Sequence, residues 1–326
     1  MFTLQELHEA RNTIGQVIAP TPQHEWPLLS ARLGRPVVVK HENHLPTGAF
    51  KVRGGLTYVE RVRRERPHVK GLIAATRGNH GQSIALAGRR YGLPVTIVVP
   101  LGNNPEKNDA MRALGADLIE HGRDFDAARE EAGRIAEAHG LEMVPSFHRD
   151  LVLGVATYAL ELFTAEPGLK RLHVPIGLGS GICGCILARD LLGRSTDIIG
   201  VQAAGAPSYA RSFQAGRTVS TPDANTFADG VATRMPDPAA FDIIRAGAAD
   251  IVTVEDDEIA AAIRAYWTDT HNLSEGAGAL GLAAALKHRA RTAGERIGVV
   301  LSGGNIDMET FRTRVLASEP DSRRAG

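Results

Sequence analysis

Short β-branched runs alternate along this chain with longer stretches of helical period, and where a run gives way to a helix the joint is repeatedly rich in glycine. The runs fall at residues 37–40, 72–75, 95–99, 117–119, 172–176, 198–202, 251–254 and 297–301, and the helical stretches at 81–91, 104–114, 125–139, 151–163, 256–269 and 277–289. Strands separated by helices pair in parallel through crossover connections, so the pattern predicts an α/β fold of open, twisted parallel sheets. It also predicts where a ligand sits, because such sheets bind at the strand-to-helix turns beyond the carboxyl ends of their strands.

Composition narrows the function. The 326 residues are 43% hydrophobic, enough for a sizeable core, and no repeat or long linker interrupts them, so a second domain must arise by folding rather than tethering. Lys+Arg and Asp+Glu both number 37, a balance that speaks against nucleic acid or an anionic membrane as partner. Cys183 and Cys185 are too close to staple a fold and read as packing residues in a reducing compartment. Residues 1–6 have no basic flank before an apolar core, and no apolar run approaches a membrane span, so a cytoplasmic protein is expected. Residues 318–324 read as a frayed tail.

Four segments carry chemistry. In Val174-Pro175-Ile176-Gly177-Leu178-Gly179-Ser180-Gly181-Ile182-Cys183-Gly184 a strand runs through glycines into a helix. Backbone N–H groups there can converge on a phosphate at the positive end of the helix dipole, or the glycines can simply allow a tight turn. Residues 179–184 also fit the dinucleotide pattern G-x-G-x-x-G, which raises an NAD-dependent oxidoreductase. That reading needs an acidic residue ending the next strand, where this chain has Gln202-Ala203-Ala204-Gly205. The second segment, Thr47-Gly48-Ala49-Phe50-Lys51-Val52-Arg53-Gly54-Gly55, holds one of only six lysines. If Thr47 caps a helix, the dipole and the apolar neighbours lower the Lys51 pKa and make its amine a nucleophile and a base; otherwise it is a surface cation. In the third, Thr76-Arg77-Gly78-Asn79-His80-Gly81, turn N–H groups can hold a carboxylate, or Asn79 can merely cap the helix. The fourth, Ser302-Gly303-Gly304-Asn305, offers a hydroxyl to a neutral ring nitrogen, or only turns the chain.

In this order, together with Ile18-Ala19-Pro20-Thr21-Pro22, Ala228-Asp229-Gly230 and Glu275-Gly276-Ala277-Gly278, the segments resemble the fold-type II pyridoxal-phosphate enzymes, whose fold is tryptophan-synthase-β-like. Within them the chain resembles the threonine/serine dehydratase branch that includes serine racemase. The resemblance implies two open parallel-sheet α/β domains with pyridoxal 5'-phosphate between them. Residues 1–48 and 148–326 would form the larger domain and 49–147 a smaller, inserted one, with no C-terminal regulatory domain. It implies a Schiff base on Lys51 beside Phe50, the phosphate on Gly177, Leu178, Gly179, Ser180 and Gly181, Asn79 on the ring hydroxyl and Ser302 on the ring nitrogen. The substrate carboxylate would lie on Thr76, Arg77, Gly78, Asn79 and His80. It further implies a homo-oligomer, dimer or tetramer, acting on an amino acid.

The activity implied is loss of water from a β-hydroxy α-amino acid of the threonine/serine type, giving a 2-oxo acid and ammonia. A neutral Ser302 would not hold the ring nitrogen protonated as a carboxylate would, which favours prompt expulsion of a β-substituent over transamination. A non-catalytic binding protein fits poorly with Lys51 and Ser302 both in place. Where the family carries Ser-Ser-Gly-Asn-His this chain has Thr76-Arg77-Gly78-Asn79-His80, which removes the second serine that a racemase uses as its acid/base. Arg77 leaves three substrates open: serine or threonine, a 3-hydroxyaspartate paired with the guanidinium, or a phenylserine stacked on it. At the positions where relatives with a divalent cation carry a glutamate and an aspartate stand Gln202 and Ser208, so no such metal is expected.

Overall fold

The computed structural model describes residues 1–292 and 294–317, and the tail at 318–324 lies outside the described residues. Among these, ten strands form two sheets. They are Gln23–Glu25 (β1), Val37–His41 (β2), Leu72–Ala75 (β3), Val95–Val99 (β4), Asp117–Glu120 (β5), Glu142–Met143 (β6), Arg171–Pro175 (β7), Asp197–Ala203 (β8), Asp250–Val254 (β9) and Ile297–Leu301 (β10). One sheet has the order β1-β2-β10-β7-β8-β9 and the other β5-β4-β3-β6. Every pairing is parallel except β1 with β2. All residues of β2, β3 and β10 are buried, as expected of parallel strands covered on both faces by helices. No helix of the described residues is long and apolar enough to cross a membrane.

The runs expected as strands are all present. β1 and β6 are additional, three and two residues long, too short to leave a period in the sequence. The expected helices are found at Asn79–Tyr91, Pro105–Ala113, Phe125–His139, Arg149–Ala165, Asp256–Thr270 and Gly276–Lys287. Helices at Leu4–Gly15 and Pro238–Gly247 went unread, although Thr3 with Glu6 forms a capping box and Asp237 caps a helix that has proline at its first position.

The helix that carries Lys51 differs from expectation at its start. It runs Lys51–Glu65 with Phe50 in the cap position, and the Thr47 hydroxyl donates to the Ala49 carbonyl at 3.2 Å instead of capping it. Gly54 and Gly154 let this helix and Arg149–Ala165 touch backbone to backbone. A Cβ on Gly54 would lie 2.7 Å from the Leu151 carbonyl oxygen, and one on Gly154 2.2 Å from that of Arg53. On another side Ser83, from Asn79–Tyr91, donates its hydroxyl to the Lys51 carbonyl at 2.6 Å.

Two residues after Lys51, the same helix sends a guanidinium into a buried ionic cluster. Arg53 binds Glu42 at 2.7 and 3.0 Å, Glu161 at 2.7 and 3.0 Å, and the hydroxyls of Thr157 and Thr21 at 3.1 and 3.3 Å. Lys40 closes the set, donating to Glu161 at 2.6 Å and to the Thr21 carbonyl at 2.9 Å. Two cations face two carboxylates, so the cluster is neutral as a whole and most of its hydrogen-bonding capacity is used, as buried charge requires.

Candidate active site

The four segments singled out in the sequence meet at the carboxyl ends of β7 and β10. Lys51, the first residue of its helix, donates from Nζ to the Ser180 hydroxyl at 3.0 Å and lies 5.0 Å from the centre of the Phe50 ring. Ser302 directly follows β10, is buried, and accepts at its carbonyl from the Phe50 N–H at 3.0 Å. Ala49 and Gly303 form an antiparallel bridge. Burial pushes the Lys51 amine down from 10.5 to about 8. The direction agrees with the sequence reading, and loss of solvent is its cause.

The glycine loop runs from β7 into the helix Ser180–Leu191, with Gly179 in the cap position at φ +103°, a conformation that favours glycine. Gly177 is needed for a different reason, since a Cβ there would lie 2.5 Å from the Gly230 carbonyl oxygen. Two tyrosines hold the loop from behind, neither of which had a signal in the sequence. Tyr158 donates to the Gly181 carbonyl at 3.2 Å and Tyr209 to that of Leu178 at 2.9 Å. Cys183 and Cys185 are buried free thiols in the same helix, in keeping with packing residues.

The third segment opens the helix Asn79–Tyr91 with Gly78 in the cap position, so Asn79 is the first helical residue and does not cap. The Thr76 hydroxyl accepts from the Gly78 N–H at 3.1 Å. The next N–H groups are those a helix leaves without an intrahelical acceptor. Asn79 is fixed at both ends of its amide: Nδ2 donates to Glu275 at 2.7 Å, and Oδ1 accepts from Asn305 Nδ2 at 2.8 Å. His80 is neutral, held down to about 3 by burial and then by the nearby Lys51. Arg77 is exposed and faces a separate cavity.

Glu275 opens the Glu275-Gly276-Ala277-Gly278 segment. It is buried, its Oε2 has no partner among the described residues, and burial pushes its carboxyl up to about 7, with Lys107 opposing the rise and Asp229 adding to it. A pKa higher in the folded than in the unfolded state gives stability that is complete below pH ~4.5 and is lost as pH rises through about 7. Glu275→Gln should therefore raise stability at pH 8 by on the order of 3 kcal/mol and make little difference at pH 4.5. Urea midpoints at the two pH values check this; an equal difference at both would mean that the carboxyl does not titrate in that window.

The positions compared with a cation site are otherwise engaged. Gln202 Oε1 accepts from the Ala210 N–H at 2.9 Å, and Ser208 donates to the Thr233 carbonyl at 2.8 Å. The donor set around Lys51 fits a phosphorylated aldehyde with a neutral ring nitrogen. It comprises an amine of lowered basicity, a glycine turn at a helix N-terminus and an uncharged hydroxyl. A Cβ on Gly181 would lie at ordinary contact distance, 3.6 Å from the Tyr158 hydroxyl and 3.7 Å from the Phe50 ring.

Comparison with known proteins agrees with this fit. Residues 14–303 match the family described as pyridoxal-phosphate dependent enzyme. An L-threonine ammonia-lyase of Geobacter sulfurreducens is 40% identical over 283 residues, covering 86% of this chain and 70% of the relative. An L-threo-3-hydroxyaspartate ammonia-lyase of Saccharomyces cerevisiae is 34% identical, with 97% of each chain covered. Among solved structures, processed threonine deaminase isoform 2 of Solanum lycopersicum superposes with a TM-score of 0.89 at 30% identity, covering 98% of this chain and 95% of that one. With its two largely parallel sheets, its glycine turn and the lysine in its cleft, the chain belongs to the pyridoxal-phosphate dependent enzyme family.

Proposed function

We propose that this enzyme is an ammonia-lyase that removes water from a β-hydroxy α-amino acid of the threonine/serine type, releasing a 2-oxo acid and ammonia. The observation that carries the reading is the half-buried Lys51 amine, whose Nζ donates to the Ser180 hydroxyl at 3.0 Å at the start of the glycine-loop helix. Relatives named as ammonia-lyases support it. Residues 177–181 would hold the phosphate, Asn79 the ring hydroxyl and Ser302 the ring nitrogen. Pyridoxal phosphate, when bound, supplies the electron sink for the α-carbanion.

The remaining work falls to side chains. At a pKa of about 8, roughly a tenth of the Lys51 amine is unprotonated at pH 7, against roughly three in ten thousand at 10.5. Lys51 is thus equipped to take the α-proton. The start of the helix Asn79–Tyr91 would hold the α-carboxylate. Neutral His80 adds no charge that would compete for it. Asn79, locked between Glu275 and Asn305, presents a defined amide face. Arg77 cannot return a proton to the α-carbon, because a guanidinium does not release one near neutrality. Residues 49–147 would form the smaller domain that carries the carboxylate turn, and the working form would be a cytoplasmic homo-oligomer.

The test is an assay of the holoenzyme for ammonia and 2-oxo acid, with chiral analysis of residual serine. Elimination without racemisation is expected. Rapid racemisation of serine, or absence of a 2-oxo acid from every β-hydroxy amino acid supplied, would refute the reading.

A further inference from the structure

We propose that the cavity in front of Arg77 is a subsite for a side-chain carboxylate, and that the substrate is a β-hydroxy α-amino acid of the 3-hydroxyaspartate class. This deepens the elimination reading above and rests on it. The cavity, about 180 Å³, is lined by Arg77, Asn103, Arg123 and Asp229, with residues 100–104 supplying the rest of the wall.

Its charge is set by the two arginines. The Asp229 carboxylate is already bound by the Lys107 ammonium. No ion pair of the Arg77 side chain is found among the described residues. Arg123 has only a loose contact, 3.5 Å, with Asp124, whose carboxylate also caps the following helix through the Ala127 N–H at 3.0 Å. Two guanidinium groups thus face a space large enough for a carboxylate, which they match with paired N–H donors.

Chain connectivity places this cavity beside the reacting centre. Arg77 immediately precedes Gly78 and Asn79, where the helix expected to hold the α-carboxylate begins. Asp229 immediately precedes Gly230, whose carbonyl packs on Gly177 of the glycine loop. Asp229 lines this cavity and Gly230 lines the Lys51 cleft, so the Asp229–Gly230 segment borders both. In the chain, Gly78 alone separates Arg77 from the first residue of the helix expected to hold the α-carboxylate.

The experiment measures kcat/KM of the wild-type, Arg77→Ser and Arg123→Ser holoenzymes on L-threo-3-hydroxyaspartate, serine, threonine and phenylserine, with succinate as an inhibitor of serine turnover. Expected are a preference for 3-hydroxyaspartate and competitive inhibition by succinate. The ratio of 3-hydroxyaspartate to serine should fall roughly ten- to a hundredfold in Arg77→Ser. It should fall in the same direction but by less in Arg123→Ser, whose side chain is 93% exposed and so better screened. Ratios unmoved in both variants, a preference for phenylserine, or inhibition by succinate that is not competitive would overturn the subsite. A protein that turns over serine and threonine yet shows one of those results fails the subsite alone, whereas one that turns over none of the four fails the elimination reading as well.

Discussion

Lys51→Ala is expected to lower kcat by at least ~10⁴-fold, since general acid–base work alone accounts for ~10²–10⁴ and this lysine is also assigned the tether to the cofactor. The same change should cost little stability. The amine it removes is buried, its basicity is already lowered by that burial, and the hydrogen bond that goes with it is to a serine hydroxyl able to reorient. Loss of activity with a melting temperature retained in the absence of cofactor therefore separates a chemical role from a structural one. Borohydride reduction of the wild-type holoenzyme followed by peptide mapping should place the cofactor on Lys51. Recovery of the reduced adduct on Lys40, Lys70, Lys107, Lys170 or Lys287 would end the assignment.

Two positions along the same helix, the opposite balance is expected. Arg53→Leu should lower folding stability by about 3–5 kcal/mol, because it leaves Glu42 and Glu161 buried with only Lys40 to answer two negative charges. Arg53→Lys should recover only part of that loss, since an ammonium cannot reproduce the forked contacts to two carboxylates. Urea unfolding gives both numbers. A change under about 1 kcal/mol in Arg53→Leu would mean that the carboxylates take up protons or water without penalty, and that the cluster does not anchor the lysine helix.

These two residues also show what could be read from the sequence and what could not. Lys51 stood out in the sequence through the resemblance, since its local neighbours Gly48, Phe50 and Val52 left it open between a nucleophile and a surface cation; what local composition does announce is a strand-to-helix turn. Arg53 was written in the same motif, but its partners Lys40, Glu42 and Glu161 look like ordinary solvated charges in a linear chain, and only the meeting of β2 with two helices buries them together. Glu275 escaped for the same reason, its neighbours Asn79 and Lys107 coming from far earlier in the chain. The helix start at Lys51 differs because Thr47 is a good cap by type, whereas the chain turns at Gly48 (φ +65°) and Ala49 bridges to Gly303 before the helix begins. The strands and the glycine loop followed from period and composition; the tyrosines behind that loop did not, because one aromatic residue on a helix has no period.

The pairing of β2 with β10 sets an order of events during synthesis. Val37 lies opposite Ile297, so β2 waits for a partner about 260 residues further along the chain. At ~5–20 residues per second, that is on the order of ten seconds to a minute on the ribosome. Through that interval β2 has only β1 beside it, and the edge that will meet β10 is open. The contacts from Phe50 to Ser302 and from Ala49 to Gly303 close in the same late step. A nascent chain therefore carries Lys51 long before it has the Ser302–Gly303 wall that the finished cleft sets beside it. A ligand that needs both binds only the finished fold and stabilises it by mass action, so cofactor supply acts on this protein as a late selection for chains that have closed their central sheet.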